Sequence, residues 1–168
     1  MSIADASADL VGRLAAALVA RHATMAAAES CTGGLIAAAC TARPGSSAWF
    51  ERGLVTYSNA AKTELLDVHA ALIAAHGAVS REVARAMAEG AVARTPATFA
   101  VAVTGIAGPD GGSAAKPVGT VWIATCARGG AGDAMLLNAR GDRAAVRAQS
   151  VVRALELLLA RVEASALA

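Results

Sequence analysis

The stretch Thr24-Met25-Ala26-Ala27-Ala28 runs without a break into Glu29-Ser30-Cys31-Thr32-Gly33-Gly34 and then into the apolar Leu35-Ile36-Ala37-Ala38-Ala39. Small apolar residues, a polar turn with a glycine pair and a second apolar run read as strand, tight turn and helix. A strand feeding directly into a helix belongs to a layered α/β sheet, so this one unit narrows the fold class of the whole chain. It also presents a carboxylate, a hydroxyl and a thiol at the strand's C-terminal end. The first free N–H groups of a following helix favour an anion or a developing oxyanion there.

The remainder of the chain repeats the alternation. Leu10, Val11, Leu14, Ala15, Leu18 and Val19 fall at helical spacing and predict an amphipathic helix over about Asp5–Arg21. A buried helix is expected over Thr32–Thr41, a loop at Arg43–Ser47, a strand at Gly53–Ser58 and a short helix from Asn59 to Leu66. Gly77 closes another short helical piece, and Ser80 is the expected N-cap of a helix over Arg81–Arg94. The β-branched run Phe99–Thr104 predicts a central strand that empties into the glycine-rich loop Gly105–Gly112. A strand pair follows at Val121–Cys126 and Ala134–Arg140, and Asp142 caps a long helix striped by Val146, Val151, Leu155, Leu158, Leu159 and Val162. The expected fold is a single three-layer α/β/α domain over residues 1–168 with a mixed, mostly parallel sheet. Ligands of such sheets bind at strand C-termini, where the unusual residues of this chain sit.

Composition removes several function classes. A net charge of +2 with dispersed Lys and Arg, apart from a mild cluster at Arg140, Arg143 and Arg147, lacks the basic face of a nucleic-acid binder. Hydrophobic residues make up 56% of the chain, but no uncharged run reaches the roughly 18 residues of a membrane span and no signal peptide precedes the first helix. A soluble, cytoplasmic protein without membrane or nucleic-acid partners is expected, as a homo-oligomer (dimer). Cys31, Cys40 and Cys126 form no CxxC, and His22, His69 and His76 no metal-ligand pattern, so neither disulfide framework nor metal site is indicated.

Three strand ends carry candidate chemistry: Ser30 with its glycine turn, Tyr57 with Lys62, and Thr104 with the glycine loop. A serine hydroxyl needs a base, and no histidine stands at a comparable junction. Lys62, among Ala60, Ala61, Leu65 and Leu66, is in the apolar setting that lowers a lysine pKa, and Tyr57 is placed to relay or position a proton. Cys31 is a rival nucleophile on the same turn. Each feature alone also has an ordinary reading, as helix cap, solvated lysine, core tyrosine or plain turn. Residue by residue the function stays open.

The joint pattern is more specific. AESCTGGL at 28–35, PGSSAWFERGLVTYSNAAK at 44–62, HGAVS at 76–80, TGIAGPDGG at 104–112, KPVGTVW at 116–122 and GDRAAVR at 141–147 together resemble the CinA C-terminal domain family. Its stand-alone bacterial members are nicotinamide-nucleotide amidohydrolases. The N-terminal domain fused to some members is expected to be absent. The resemblance implies hydrolysis of the carboxamide of nicotinamide mononucleotide to nicotinic acid mononucleotide and ammonia, with no metal or organic cofactor. It implies Ser30 as nucleophile, Lys62 as general base and Tyr57 as an aid to proton transfer. N–H groups near Thr32, Gly33 and Gly34 are the expected oxyanion donors. The glycine loop, with Gly105, Gly108 and Gly111, and either Arg140 or Arg143 are expected to take the phosphate, and Thr104 to line the pocket. A non-catalytic nucleotide- or partner-binding module is the alternative reading.

Overall fold

In a computed structural model that describes residues 3–166, helices and strands alternate as α1 (Ile3–Val19), β1 (Met25–Glu29), α2 (Leu35–Thr41), β2 (Phe50–Val55), α3 (Asn59–Leu66), α4 (Ala70–His76), α5 (Arg81–Arg94), β3 (Phe99–Gly105), β4 (Thr120–Ala127), β5 (Asp133–Asn138) and α6 (Arg143–Ala164). One turn of 3-10 helix at Ser46–Ala48 leads into β2. The strands form one sheet in the order β2-β1-β3-β4-β5. β1 is parallel to both β2 and β3, whereas β4 runs antiparallel to β3 and β5. The sheet is therefore mixed, with β4 alone reversed.

Side-chain alternation along the inner strands decides how each face is covered. Val101, Val103 and Ile123 point to one face, where α1, α2 and α6 supply Leu14, Leu18, Ile36, Leu155 and Leu158. Ala100, Ala102 and Ala124 point to the other, where Leu66 of α3, Ile73 of α4 and Val83 and Met87 of α5 close the core. The alanine face brings α5 close to the sheet. In turn α3 lies against α5 at Gly90, where an added Cβ would stand 1.9 Å from the Leu66 carbonyl oxygen. Backbone meets backbone there.

Caps fix several boundaries. The Ser58, Ser80 and Asp142 side chains accept from the N–H groups of Ala61, Val83 and Ala145 at the starts of α3, α5 and α6. Most boundaries fall within two residues of the sequence expectation, and the start of one helix and one whole strand are displaced by three. The helix expected from Thr32 starts at Leu35, because Gly33 (φ 57°) and Gly34 (φ 98°) put two left-handed residues before it. The strand expected at Gly53–Ser58 lies at Phe50–Val55, an edge strand whose burial does not alternate cleanly. Parallel pairing leaves Ser30, Thr56 and Thr104 together at the C-terminal edge of the sheet, where Ser30 N–H donates to the Val103 carbonyl and Thr56 N–H to that of Glu29. Among the described residues no helix is long and apolar enough to cross a membrane.

Candidate active site

A cavity of about 290 Å³ opens at this edge, lined by residues of all three strand ends, among them Ser30, Cys31, Tyr57, Lys62, Thr104 and Arg143. Lys62, on the first turn of α3, points into the protein and is only 1% exposed. Its Nζ lies 3.1 Å from Ser30 Oγ, 2.9 Å from the Thr56 carbonyl and 3.3 Å from the Tyr57 carbonyl. A neutral amine has two N–H donors and one lone pair. Here Nζ donates to both carbonyls and to the hydroxyl, and the neutral form meets the same three oxygens with the hydroxyl donating to its lone pair instead. Among the described residues no carboxylate pairs with the amine, and burial lowers the Lys62 pKa below the usual lysine range, with Cys31 acting in the opposite direction.

The serine turn is held by charges that the strand-turn-helix pattern did not reveal. Glu29, the last residue of β1, is fully buried, and its carboxylate accepts from the N–H groups of Gly34 (3.0 Å), Ile36 (3.1 Å) and Ala37 (2.9 Å). The N-terminus of α2 is thus occupied by the chain's own anion. Gly33 N–H donates to the Ser30 carbonyl at 3.1 Å. Consequently Gly33 and Gly34, expected as oxyanion donors, have their N–H groups committed, and with Thr32, which is fully buried, they stand outside the cavity lining. The N–H groups of Cys31 and Thr32 donate to no carbonyl among the described residues, and that of Cys31 is turned to its own thiol, whose pKa burial raises and this contact lowers in part.

Of the two candidate arginines, the structure brings Arg143 to the cavity and leaves Arg140 outside. Arg140 is exposed, and its backbone pairs with the Gln149 side chain at the start of α6. Arg143 donates to the Gly108 carbonyl at 2.8 Å and to the Tyr57 hydroxyl at 3.1 Å, tying the glycine loop to the segment after β2. Tyr57, expected to relay or position a proton, lines the cavity and meets the amine through its backbone. Its carbonyl meets Lys62, while its hydroxyl sits at the exposed mouth on Arg143. Thr104 lines the cavity as expected, and its hydroxyl donates to the Ala78 carbonyl at 2.9 Å, which fixes Ala78 and Val79 as an apolar wall. Gly105, Gly108 and Gly111 line the opposite rim, and the loop N–H groups of Ala107, Gly108, Asp110 and Gly111 have no acceptor among the described residues.

The site also contains residues that sequence reasoning passed over as site members. Asn59 and Asp110 line the cavity. Arg147, one turn beyond Arg143 on α6, donates to the carbonyls of Cys31 (3.2 Å) and Thr32 (3.1 Å). The spacing of four residues was the available signal, since it puts both arginines on one helix face. Among the described residues no three His, Cys, Asp or Glu side chains gather where they could hold a metal ion. The Cys31 thiol is 6% exposed, and burial pushes its pKa up to about 11.

Comparison with known proteins places this arrangement. The model of the CinA C-terminal domain matches residues 7–162. A Pseudomonas putida protein named nicotinamide-nucleotide amidohydrolase PncC is 56% identical over 153 residues, covering 89% of this chain and 93% of its own. The protein of the same name from Escherichia coli K12 is 53% identical over 142 residues, covering 84% and 86%. The crystal structure of the competence/damage inducible protein CihA from Agrobacterium tumefaciens superposes with a TM-score of 0.89 at 46% identity, covering 95% of this chain and 96% of that one. The chain belongs to the CinA C-terminal domain family.

Proposed function

We propose that this protein hydrolyses the carboxamide of nicotinamide mononucleotide to nicotinic acid mononucleotide and ammonia, with Ser30 as nucleophile and Lys62 as its base. The observation that carries the reading is the 3.1 Å contact between Ser30 Oγ and a buried lysine amine whose other neighbours are two carbonyl acceptors. The names of relatives at 56% and 53% identity support the substrate.

In this mechanism the neutral Lys62 amine takes the hydroxyl proton as Ser30 Oγ bonds to the amide carbon. The carbonyl oxygen gains the negative charge, and N–H groups of the serine turn hold it. Lys62, now an ammonium, passes its proton to the departing nitrogen, and ammonia leaves an acyl-enzyme that water hydrolyses by the reverse path. The pyridinium ring draws electrons from the amide and favours attack. Its positive charge also opposes a protonated lysine beside it, the direction a base requires. Arg143 and the free N–H groups of the glycine loop bind the phosphate, with the Tyr57 hydroxyl orienting the guanidinium. Asn59 and Asp110, which also line the cavity, offer polar partners for the ribose hydroxyls. A Cys31 nucleophile is disfavoured, because a thiol with a pKa of about 11 supplies little thiolate at neutral pH.

The test is ammonia release from nicotinamide mononucleotide by wild type and Ser30→Ala, with nicotinamide riboside as second substrate. Release by wild type alone, weaker on the riboside, is expected. Activity retained by Ser30→Ala and lost in Cys31→Ala would transfer the nucleophile to the thiol. Tight binding without ammonia release would make the domain a nucleotide-binding module.

A further inference from the structure

The serine turn is gripped by opposite charges on its two sides. The Glu29 carboxylate holds the N–H side of α2, and the Arg147 guanidinium holds the carbonyls of Cys31 and Thr32. We propose that Arg147 is a positioning residue that, through the turn, aims the N–H group following Ser30, that of Cys31, at the substrate's oxyanion. The inference rests on the reading of Ser30 as nucleophile.

Peptide geometry carries the argument. In a trans peptide the carbonyl of one residue and the N–H of the next point in opposite directions. The Ser30 carbonyl is turned back to accept from Gly33 N–H, so the Cys31 N–H points away from the inside of the turn. The Cys31 carbonyl accepts from Arg147 Nε at 3.2 Å, so the Thr32 N–H points away from α6. Helix α6 covers the sheet face that carries Val101 and Val103, and α3, which carries Lys62, covers the other. Thr32 itself is fully buried and outside the cavity lining, so the N–H group the cavity can reach is that of Cys31. Arg147 Nη2, on the Thr32 carbonyl at 3.1 Å, fixes the peptide whose Gly33 N–H holds the Ser30 carbonyl and with it the direction of the Cys31 N–H. The Cys31 N–H donates to no carbonyl among the described residues, whereas the turn itself and Glu29 have taken the N–H groups of Gly33 and Gly34. Both of Arg147's bonds end on turn carbonyls and it is not among the cavity-lining residues, so it acts through the turn and not on the substrate. A guanidinium suits the task because its fixed fork sets two carbonyls at once, which a lysine ammonium cannot do with the same geometry. Its charge behind the turn also favours an anion in front of it.

A fluorophosphonate probe tests this without depending on the natural substrate. Ser30 Oγ bonds to phosphorus, the phosphorus–fluorine bond breaks, fluoride leaves, the hydroxyl proton passes to Lys62 and the phosphoryl oxygen occupies the oxyanion position. Arg147→Ala is expected to be labelled at Ser30 about 10- to 100-fold more slowly than wild type, below the 10²–10³-fold cost of deleting a donor outright. Added guanidinium ion should restore part of that rate. Arg147→Lys, which keeps the charge, should fall between the two and carries the test if the alanine variant does not fold. In the amidase assay kcat should fall while KM for nicotinamide mononucleotide stays within about twofold. A folded Arg147→Ala labelled at the wild-type rate overturns the inference, as does a wild-type chain that is not phosphonylated at Ser30. An equal loss of KM and kcat without guanidinium rescue overturns it in favour of a purely structural role. Labelling of wild type without ammonia release, slowed in the variants, upholds the positioning role and sinks only the substrate reading.

Discussion

Replacing Glu29 by Gln tests how the serine turn is built, and its cost follows from the contacts. The carboxylate accepts three N–H groups, two on Oε2 and one on Oε1. A glutamine has one acceptor oxygen. In its better orientation it keeps Gly34 and Ile36 and sets its NH₂ against the Ala37 N–H, donor to donor. One charge-assisted bond worth about 1.5–3 kcal/mol is lost, and two others become neutral at about 1 kcal/mol less each. Relief from burying a charge offsets part of this, which leaves a net loss of about 3 kcal/mol. For a chain of this size each kcal/mol shifts Tm by about 2–4 °C, so a fall of about 6–12 °C is expected. Thermal unfolding followed by circular dichroism, with urea unfolding as a check on the free energy, measures it. A loss below about 1 kcal/mol would refute the argument, because the N-terminus of α2 would then be satisfied without the carboxylate.

The other predictions concern the base, the phosphate and the frame. Because burial lowers the Lys62 pKa and the base must be neutral, kcat/KM should fall as pH drops through that lowered value, and Lys62→Arg should be inactive across the range; an unchanged acid limb would assign the titration to another group. The same shift links to stability. Between the folded pKa and the unfolded value near 10.4 the unfolded chain binds the extra proton, so wild-type stability should rise with pH across that window, a slope that Lys62→Met should lack in urea unfolding. Arg143→Ala should raise KM for nicotinamide mononucleotide about 10- to 100-fold and leave the riboside nearly unaffected; equal effects on both would remove the phosphate role. Gly90→Ala gains helix propensity of about 1 kcal/mol yet sets a Cβ 1.9 Å from the Leu66 carbonyl oxygen, so a net destabilisation of about 2 kcal/mol or more is expected by thermal melting, and a stabilised variant would deny the contact.

What the sequence made legible was whatever local chemistry decides. Ser80 and Asp142 mark helix starts because a side-chain oxygen three residues before an orphan N–H is a local arrangement. The β-branched Phe99–Thr104 run announces a buried strand, and the glycines after it a loop on a cavity. The contact between Ser30 and Lys62 was legible only as two apolar-flanked residues at strand ends, because parallel pairing of β2 with β1 is what brings them together. The function of Glu29 was hidden for a different reason. A carboxylate beside a candidate nucleophile reads as chemistry, and only the path of the turn shows it bonded to three backbone N–H groups behind the site. The choice between Arg140 and Arg143 depends on which side of the Asp142 cap each residue falls, since the helix direction set there carries Arg143 over the glycine loop and leaves Arg140 on the approach.

The close approach of α3 and α5 at Gly90 bears on how this enzyme can drift. Lys62 is carried by α3, and at Gly90 the Leu66 carbonyl of α3 meets the backbone of α5 with no room for a side chain between them. Substitutions among the small apolar residues of that layer can therefore exchange volume with their neighbours without moving Lys62 relative to Ser30. The distance between Lys62 and Ser30 is buffered against the gradual turnover of the core, a latitude denied to the glycine itself.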